Sequence, residues 1–278
     1  MAKLKMLVWL MVMGMLFPGL ALAKDQESSY ERVLRTGTLR CGYVVYSPSI
    51  IKDPNTGELS GIFYEITELM AQRLNLKVEW TQEIQFPTMV EDMRAQKFDA
   101  LCLNGWGTAH LAPYLRMMSP LYYSTIHPYV RSDDLRFDHK LSMMNDPQVK
   151  ISTIDGTGTS VFAQQSFPKA QRVSLPQMSD YSMTILDVVN KKADVVLVED
   201  ALAAEFLEKN PGSIRRVLLD RPLRYYANSY YVGIHENALH SMLDMTLGEM
   251  LGSGEVARIV EKYDRHHALT QVPLPFNY

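Results

Sequence analysis

The stretch Gly156-Thr157-Gly158-Thr159-Ser160 has the residue types that hold an anion without a metal. It follows an apolar run at 149–154 and precedes a short helical pattern at 161–165. Its first backbone N–H groups are therefore free to receive a carboxylate or similar group. An ordinary N-cap and turn is the alternative reading of the same residues. No Gly-Lys-Ser/Thr follows, so the segment is not a P-loop, and the dinucleotide fingerprint is incomplete. A second chemistry-bearing pair, Glu199-Asp200, closes the apolar run 193–198, where Asp200 reads as the cap of a helix over 201–209. The histidines show no His-x-x-x-His or His-Glu-x-x-His spacing, and His266-His267 reads as part of a solvated tail. No metal and no cofactor are expected.

These residues need a scaffold, and the chain supplies alternating strands and helices. Strands are expected over 38–45, 76–80 and 98–103, then over 149–154 and 193–198. The runs at 98–103 and 193–198 are apolar throughout, the pattern of strands buried on both faces. Ile62, Phe63, Ile66, Leu69, Met70 and Leu74 recur at helical spacing and predict a helix over 62–74. Thr88-Met89-Val90-Glu91 reads as a capping box opening the next helix. Further helices are expected at 183–190, 239–251 and 255–263, with Met242, Met245 and Met250 as core filler. This order implies an α/β fold with mainly parallel sheets.

Composition narrows the function classes. The 278 residues are 47% hydrophobic and 21% charged, with a formal charge of −3, which argues against disorder and against a nucleic-acid binder. Residues 1–23 have the layout of a cleavable signal peptide. Lys3 and Lys5 precede an apolar stretch, and Ala21 and Ala23 occupy the small positions before the cleavage point. The mature protein is expected to be periplasmic.

From about Gly37 to Tyr263 the chain resembles the periplasmic solute-binding proteins of ABC importers, of the type that takes amino acids (bacterial extracellular solute-binding proteins, family 3). The resemblance rests on Gly37-Thr38-Leu39-Arg40-Cys41-Gly42, Tyr46-Ser47-Pro48 and Gly57-Glu58-Leu59-Ser60-Gly61-Ile62-Phe63-Tyr64-Glu65-Ile66. It continues through Lys97-Phe98-Asp99-Ala100, Ser119-Pro120-Leu121-Tyr122-Tyr123, Asp155-Gly156-Thr157 and Lys192-Ala193-Asp194-Val195-Val196-Leu197-Val198-Glu199-Asp200. It implies two α/β lobes, 24–126 with 230–278 and 127–229, joined by two crossing strands at 125–129 and 228–231. The ligand lies between the lobes, which close about a hinge. The expected partners are a small polar solute and an ABC permease, and the expected state is a monomer. Tyr122-Tyr123, Tyr225-Tyr226 and Tyr230-Tyr231 bracket the crossings as hinge packing or ligand contacts.

The resemblance also assigns ligand contacts. Tyr46 and Phe86 stand where the family places aromatic walls. Asn104, Trp106 and Thr108 follow the 98–103 strand, Thr157 and Thr159 open the second-lobe helix, and Glu199 matches the acid that holds a ligand ammonium group. Where many relatives continue Thr-x-x-Arg from the Thr108 position to clamp a carboxylate, this chain has Leu111, with His110 and Arg116 nearby as substitutes. Trp106 replaces a usually small residue and adds a flat face for a cation. Together these residues suit an amine-bearing solute. The alternatives are a stand-alone sensor or accessory binding protein, and an enzyme resembling cyclohexadienyl dehydratases, with Glu199 as general acid. Cys41 and Cys102 fall on strands expected to be neighbours. An oxidising compartment permits a disulfide, but adjacent parallel strands seldom offer its geometry, so free thiols are the expectation.

Overall fold

The computed structural model describes residues 27–271 except Met178. The expected signal peptide and its cleavage point lie outside the described residues. Chain order runs α1 (Ser29–Thr36), β1 (Thr38–Tyr43), β2 (Ile51–Lys52), β3 (Leu59–Ser60), α2 (Ile62–Arg73), β4 (Lys77–Glu83), α3 (Met89–Arg94), β5 (Ala100–Trp106), β6 (Leu115–Met117) and β7 (Tyr122–Arg131). It continues through β8 (Lys150–Ile154), α4 (Gly158–Ser166), β9 (Gln171–Leu175), α5 (Ser182–Val189), β10 (Val195–Glu199), α6 (Asp200–Lys209), β11 (Ile214–Arg216) and β12 (Arg224–Gly233). It ends with α7 (Asn237–Gly252), α8 (Glu255–Tyr263) and β13 (Thr270–Gln271).

One curled sheet runs through the molecule in the order β4-β1-β5-β12-β7-β10-β8-β9. The β1–β4, β1–β5, β8–β10 and β8–β9 pairs are parallel, as the α/β pattern implies. The long strands β7 and β12 pair antiparallel with each other, Tyr122 opposite Asn228 and Ile126 opposite Arg224. Beyond that shared stretch β7 pairs with β10 and β12 pairs with β5, so these two strands stitch the halves of the sheet together.

Each half has its own core. In the first, Phe63 and Ile66 of α2 pack with Leu243 and Leu247 of α7 and Val256 and Val260 of α8. In the second, β10 divides its apolar run between two faces. Val195 and Leu197 join Phe162 and Ala163 of α4, while Val196 and Val198 join Ile185 and Val188 of α5 and Phe206 of α6. The two-sided burial explains why the segment lacks strand alternation. Ala100 with Cys102, and Leu101 with Leu103, divide the faces of β5 in the same way.

Several expectations need correction. Cys41 and Cys102 form a disulfide. The parallel register sets Cys41 beside Ala100, and Cys102, two residues on, shares that face with its Cα 5.5 Å away, within bonding range. Thr88 does not cap α3, because its hydroxyl is turned to Asp92 Oδ2 at 3.0 Å. Asp200 is not the cap of α6; Glu199 occupies that position without a side-chain cap. Met245 is 78% exposed on α7, unlike buried Met250. His266 is not fully solvated, since its Nε2 lies 3.4 Å from Glu208 Oε1. Helix α1 was not expected. A capping box of Ser28 and Glu31 starts it, and Arg32 with Arg40 ties it to buried Asp99.

Candidate functional site

The strand ends place the chemistry. β10 delivers Glu199 at its C-terminus, and β5 delivers Asn104 and Trp106, with Thr108 just beyond. The loop after β1 brings Tyr46, the approach to α3 brings Phe86, and the start of α4 brings Thr157 and Thr159. All of these residues line one cavity of about 460 Å³ at the carboxyl ends of β5 and β10. Open α/β sheets bind small molecules in such crevices. His110 and Leu111 also line it. Arg116 does not substitute for the missing arginine, since its guanidinium is bonded to Asn237 on the exterior.

Glu199 is the chemical centre of the cavity. Its side chain is almost wholly buried, and Oε1 has no hydrogen-bond partner. Burial pushes its pKa above the ordinary carboxyl value, against the opposing pull of the Ser124 and Tyr46 hydroxyls and the Trp106 N–H and with a further push from Asp200. The same burial, with the Glu199 charge, drives the Tyr46 hydroxyl well above its usual range. A buried carboxylate without a counter-charge is costly, and an arriving cation would relieve that cost.

A polar chain links Trp106 to this acid across four neighbouring strands. The Trp106 indole N–H donates to Asn228 Oδ1 at 3.0 Å, and Asn228 Nδ2 donates to Ser124 Oγ at 2.9 Å. Ser124 in turn acts on the Glu199 carboxylate. These residues sit on β5, β12, β7 and β10, the order of the sheet. Trp106 is therefore not the free flat wall that the sequence suggested. One face is stacked on Tyr226, with centroids 4.1 Å apart, and the backbone of Gly158 lies against its six-membered ring.

Asp200 serves the crossing strand. Its carboxylate accepts from Tyr129 Oη at 2.8 Å and Thr125 Oγ1 at 3.0 Å and lies 2.9 Å from His127 Nδ1. Burial pushes its pKa up, but those hydrogen bonds and His127 outweigh it and leave the group below the ordinary aspartate value. Residues 125, 127 and 129 alternate onto one face of β7, directly beside the end of β10, so the carboxylate is drawn sideways rather than onto its own helix.

The helix opening at α4 is a partial match to its expected role. Thr157 Oγ1 accepts from Ser160 N and is bonded to Ile154 O at 2.7 Å, so this hydroxyl is committed to capping. Thr159 Oγ1 lies 3.1 Å from Thr157 Oγ1. Tyr181 was missed from sequence. It meets Tyr46 edge to face with centroids 4.8 Å apart, and this pair stands between the cavity and a second, more charged chamber of about 680 Å³. Tyr181 lies in a turn before α5, where nothing in the periodicity marks it.

Among the described residues no group of three or more His, Cys, Asp or Glu side chains is arranged to hold a metal ion, and no helix is long and apolar enough to cross a membrane.

The fold is similar to that of the ancestral amino acid-binding protein AncCDT-1, described as a precursor of cyclohexadienyl dehydratase, with TM-score 0.73 and 20% identity over 85% of this chain and 99% of that one. A mutant of ArgBP from T. maritima gives TM-score 0.72 and 18% identity over 84% of this chain and 98% of that one. AbpA from Streptococcus pneumoniae, an amino acid ABC transporter substrate-binding protein bound to L-arginine, gives 0.70 and 18%, over 84% and 97%. At such identities the likeness establishes the two-lobe fold alone. No curated protein matches the chain in sequence. Residues 39–266 match the bacterial extracellular solute-binding proteins, family 3, and the chain belongs to that family.

Proposed function

We propose that this protein is exported by a cleavable signal peptide at 1–23 and captures a small polar solute, an amino acid or related amine, between two lobes. The lobes are 24–126 with 230–278 and 127–229, and β7 and β12 form the hinge. The protein then presents the solute to the permease of an ABC importer and performs no chemistry. The observation that carries this reading is Glu199, a buried carboxylate with one oxygen lacking any partner, facing a 460 Å³ cavity at the strand ends. Tyr46, Phe86, Asn104, Trp106, Thr108, Thr157 and Thr159 are the proposed surrounding contacts. Hinge closure would bring the walls onto the solute and exclude water.

Native mass spectrometry of protein purified from the periplasm of its host tests this reading. The expected result is an adduct of one small-molecule mass that is lost on partial unfolding and dialysis. Repeated absence of any adduct, with no amino acid or amine raising the melting temperature, would overturn it.

One observation favours a second reading. A buried acid with a raised pKa is what a general acid requires, so Glu199 would suit dehydration of a cyclohexadienyl substrate. Such a substrate brings carboxylates, and Arg94, which lines the cavity, is already paired with Glu91 at 2.9 Å. Incubation with prephenate or arogenate, followed by product absorbance, decides between the two readings. Turnover abolished by Glu199→Gln would establish the enzyme.

A further inference from the structure

The charges that reach the cavity are unevenly distributed. Glu91 and Arg94 form an ion pair at its mouth, and the Arg94 guanidinium also lies over the Tyr114 ring at 4.9 Å, so this pair contributes no net charge and its cation is engaged twice. Besides His110, whose imidazole also lines the cavity, that leaves Glu199, deeply buried, with Oε1 bare of any donor. Every hydrogen-bonding partner near the carboxylate is neutral: Ser124, Tyr46 and Trp106. The site therefore lacks one positive charge and at least one N–H.

Among the described lining residues, no unpaired lysine or arginine stands ready for a carboxylate. Part of the cavity wall is apolar. Leu111 is buried there among Leu103, Leu115 and Met89, with Val90 and Phe86 packed against them. The opening of α4 has backbone N–H groups, but its Thr157 hydroxyl is spent on its own cap, and the Trp106 ring rests against Gly158. Thr108 Oγ1 is the other unpartnered buried polar atom facing the cavity. A hydroxyl can meet an N–H or an O–H, but it carries no charge and does not replace a guanidinium.

Size adds a constraint. Cavities of roughly 300–1,000 Å³ bury ligands larger than a single small amino acid. This one, at about 460 Å³, has room for an ammonium group at one end and a substantial apolar body along the leucine floor.

We infer that the site takes a protonated primary or secondary amine with an apolar or aromatic body and no α-carboxylate. Its N–H donates to Glu199 Oε1, and its body lies against Leu103, Leu111 and Phe86. This rests on the solute-capture reading above and specifies the class of solute. The need for a donor separates such amines from quaternary ammonium compounds, which bring the charge but no N–H to satisfy Oε1. The apolar floor separates them from the parent amino acids, whose carboxylate would be desolvated against Leu111 without a partner.

Calorimetric titration of the purified full-length mature protein tests the inference with matched probes. These are 2-phenylethylamine against L-phenylalanine, 3-methylbutylamine against L-leucine, and 2-phenylethyltrimethylammonium as the quaternary control. The expected result is that at least one amine binds tenfold or more tightly than its amino acid. The quaternary analogue of the aromatic amine should also be at least tenfold weaker than that amine, and Glu199→Gln should lose tenfold or more in amine affinity. Glu199→Asp, which keeps the charge, should retain part of that affinity and shows that any loss is not simply misfolding. Equal or tighter binding of the amino acid in both pairs would overturn the inference while leaving solute capture standing. Absence of binding by both amines would also overturn it, and the native mass spectrum then reports separately whether solute capture survives.

Discussion

The Trp106 indole lies parallel to the Tyr226 ring, with centroids 4.1 Å apart and planes 5° from parallel. Trp106 ends β5 and Tyr226 lies on the connecting strand β12, so the stack fixes the indole to the joint between the halves of the sheet. Its N–H is held by Asn228, which is fully buried. A side chain pinned by a stack and a hydrogen bond has little freedom to yield, and its neighbours must fit around it.

Gly158 is a neighbour with little room. A Cβ there would come within 2.9 Å of Trp106 Cε3 and 3.2 Å of Cζ3, so Gly158→Ala forces the start of α4 away from the indole. Binding of the amine probe should weaken about tenfold, roughly 1.4 kcal/mol, because the walls no longer meet at their proper spacing. Adding Trp106→Ala to Gly158→Ala should cost less than Trp106→Ala alone, since the clash disappears with the ring. Strict additivity in calorimetric titrations of the three variants would show that the contact does not govern closure.

The Glu199 carboxyl gives a stability test with a definite sign. Its pKa in the fold is raised by burial, so the folded state binds the proton more tightly than the unfolded chain. The stability this provides is fully present below the unfolded value, about 4.3, and is lost as pH rises through the folded value. Glu199→Gln has no charge to bury. Its ligand-free melting temperature should match the wild type near pH 4 and exceed it at pH 7.5, where each 1 kcal/mol recovered is worth about 2–4 °C. Thermal melts at the two pH values check this, and a variant no more stable at pH 7.5 than at pH 4, relative to wild type, would show that the carboxylate is not strained by burial.

Much of this arrangement was legible in the residues because strand ends are predictable from apolar runs. The runs ending near Leu103 and Val198 lead directly to Asn104, Trp106 and Glu199, and the turn at Gly156 leads to Thr157 and Thr159; with Tyr46, Phe86 and Thr108 they line one cavity. What escaped depends on contacts between distant segments. Asp200 carried a good local signal for capping, but β10 lies beside Thr125, His127 and Tyr129, and three nearby donors outcompete one helix end. Tyr181 becomes a wall only because Tyr46 comes to meet it, and the covered face of Trp106 depends on Tyr226, 120 positions along the chain. Helix α1 did have a local signal, Ser28 followed by Glu31 three residues later, within a short polar stretch where apolar periodicity is weak.

The Cys41–Cys102 disulfide closes a loop of 61 residues between β1 and β5 in the first core. Chain-entropy reasoning gives about 3 kcal/mol for a 15-residue loop and about 4.7 kcal/mol for 100 residues, so this bond should contribute about 4 kcal/mol. The double variant Cys41→Ala/Cys102→Ala should show a lower urea midpoint than the oxidised wild type and no response to reductant. Wild type should fall towards the variant when reduced under denaturing conditions. An unfolding midpoint indifferent to reductant in the wild type would mean that the thiols are not joined in the folded protein.

Leu111 offers the opposite manipulation to Glu199→Gln. It lines the cavity at 9% exposure, among Leu103, Leu115 and Met89, at the position where the family resemblance leads one to expect a guanidinium. Leu111→Arg places a bidentate donor there and removes part of the apolar floor. L-Phenylalanine should gain tenfold or more in affinity, while 2-phenylethylamine, which has no carboxylate to use the new charge, should lose affinity through repulsion of its ammonium group. The ratio of the two dissociation constants is the diagnostic quantity, because a general loss of folding raises both together whereas a change of recognition moves them in opposite directions. Circular dichroism and a melting curve confirm that the arginine is accommodated, and Leu111→Gln, similar in polarity but uncharged, should leave the ratio nearly unchanged. If Leu111→Arg fails to favour the amino acid over the amine while remaining folded, the leucine is not what turns the cleft away from carboxylates.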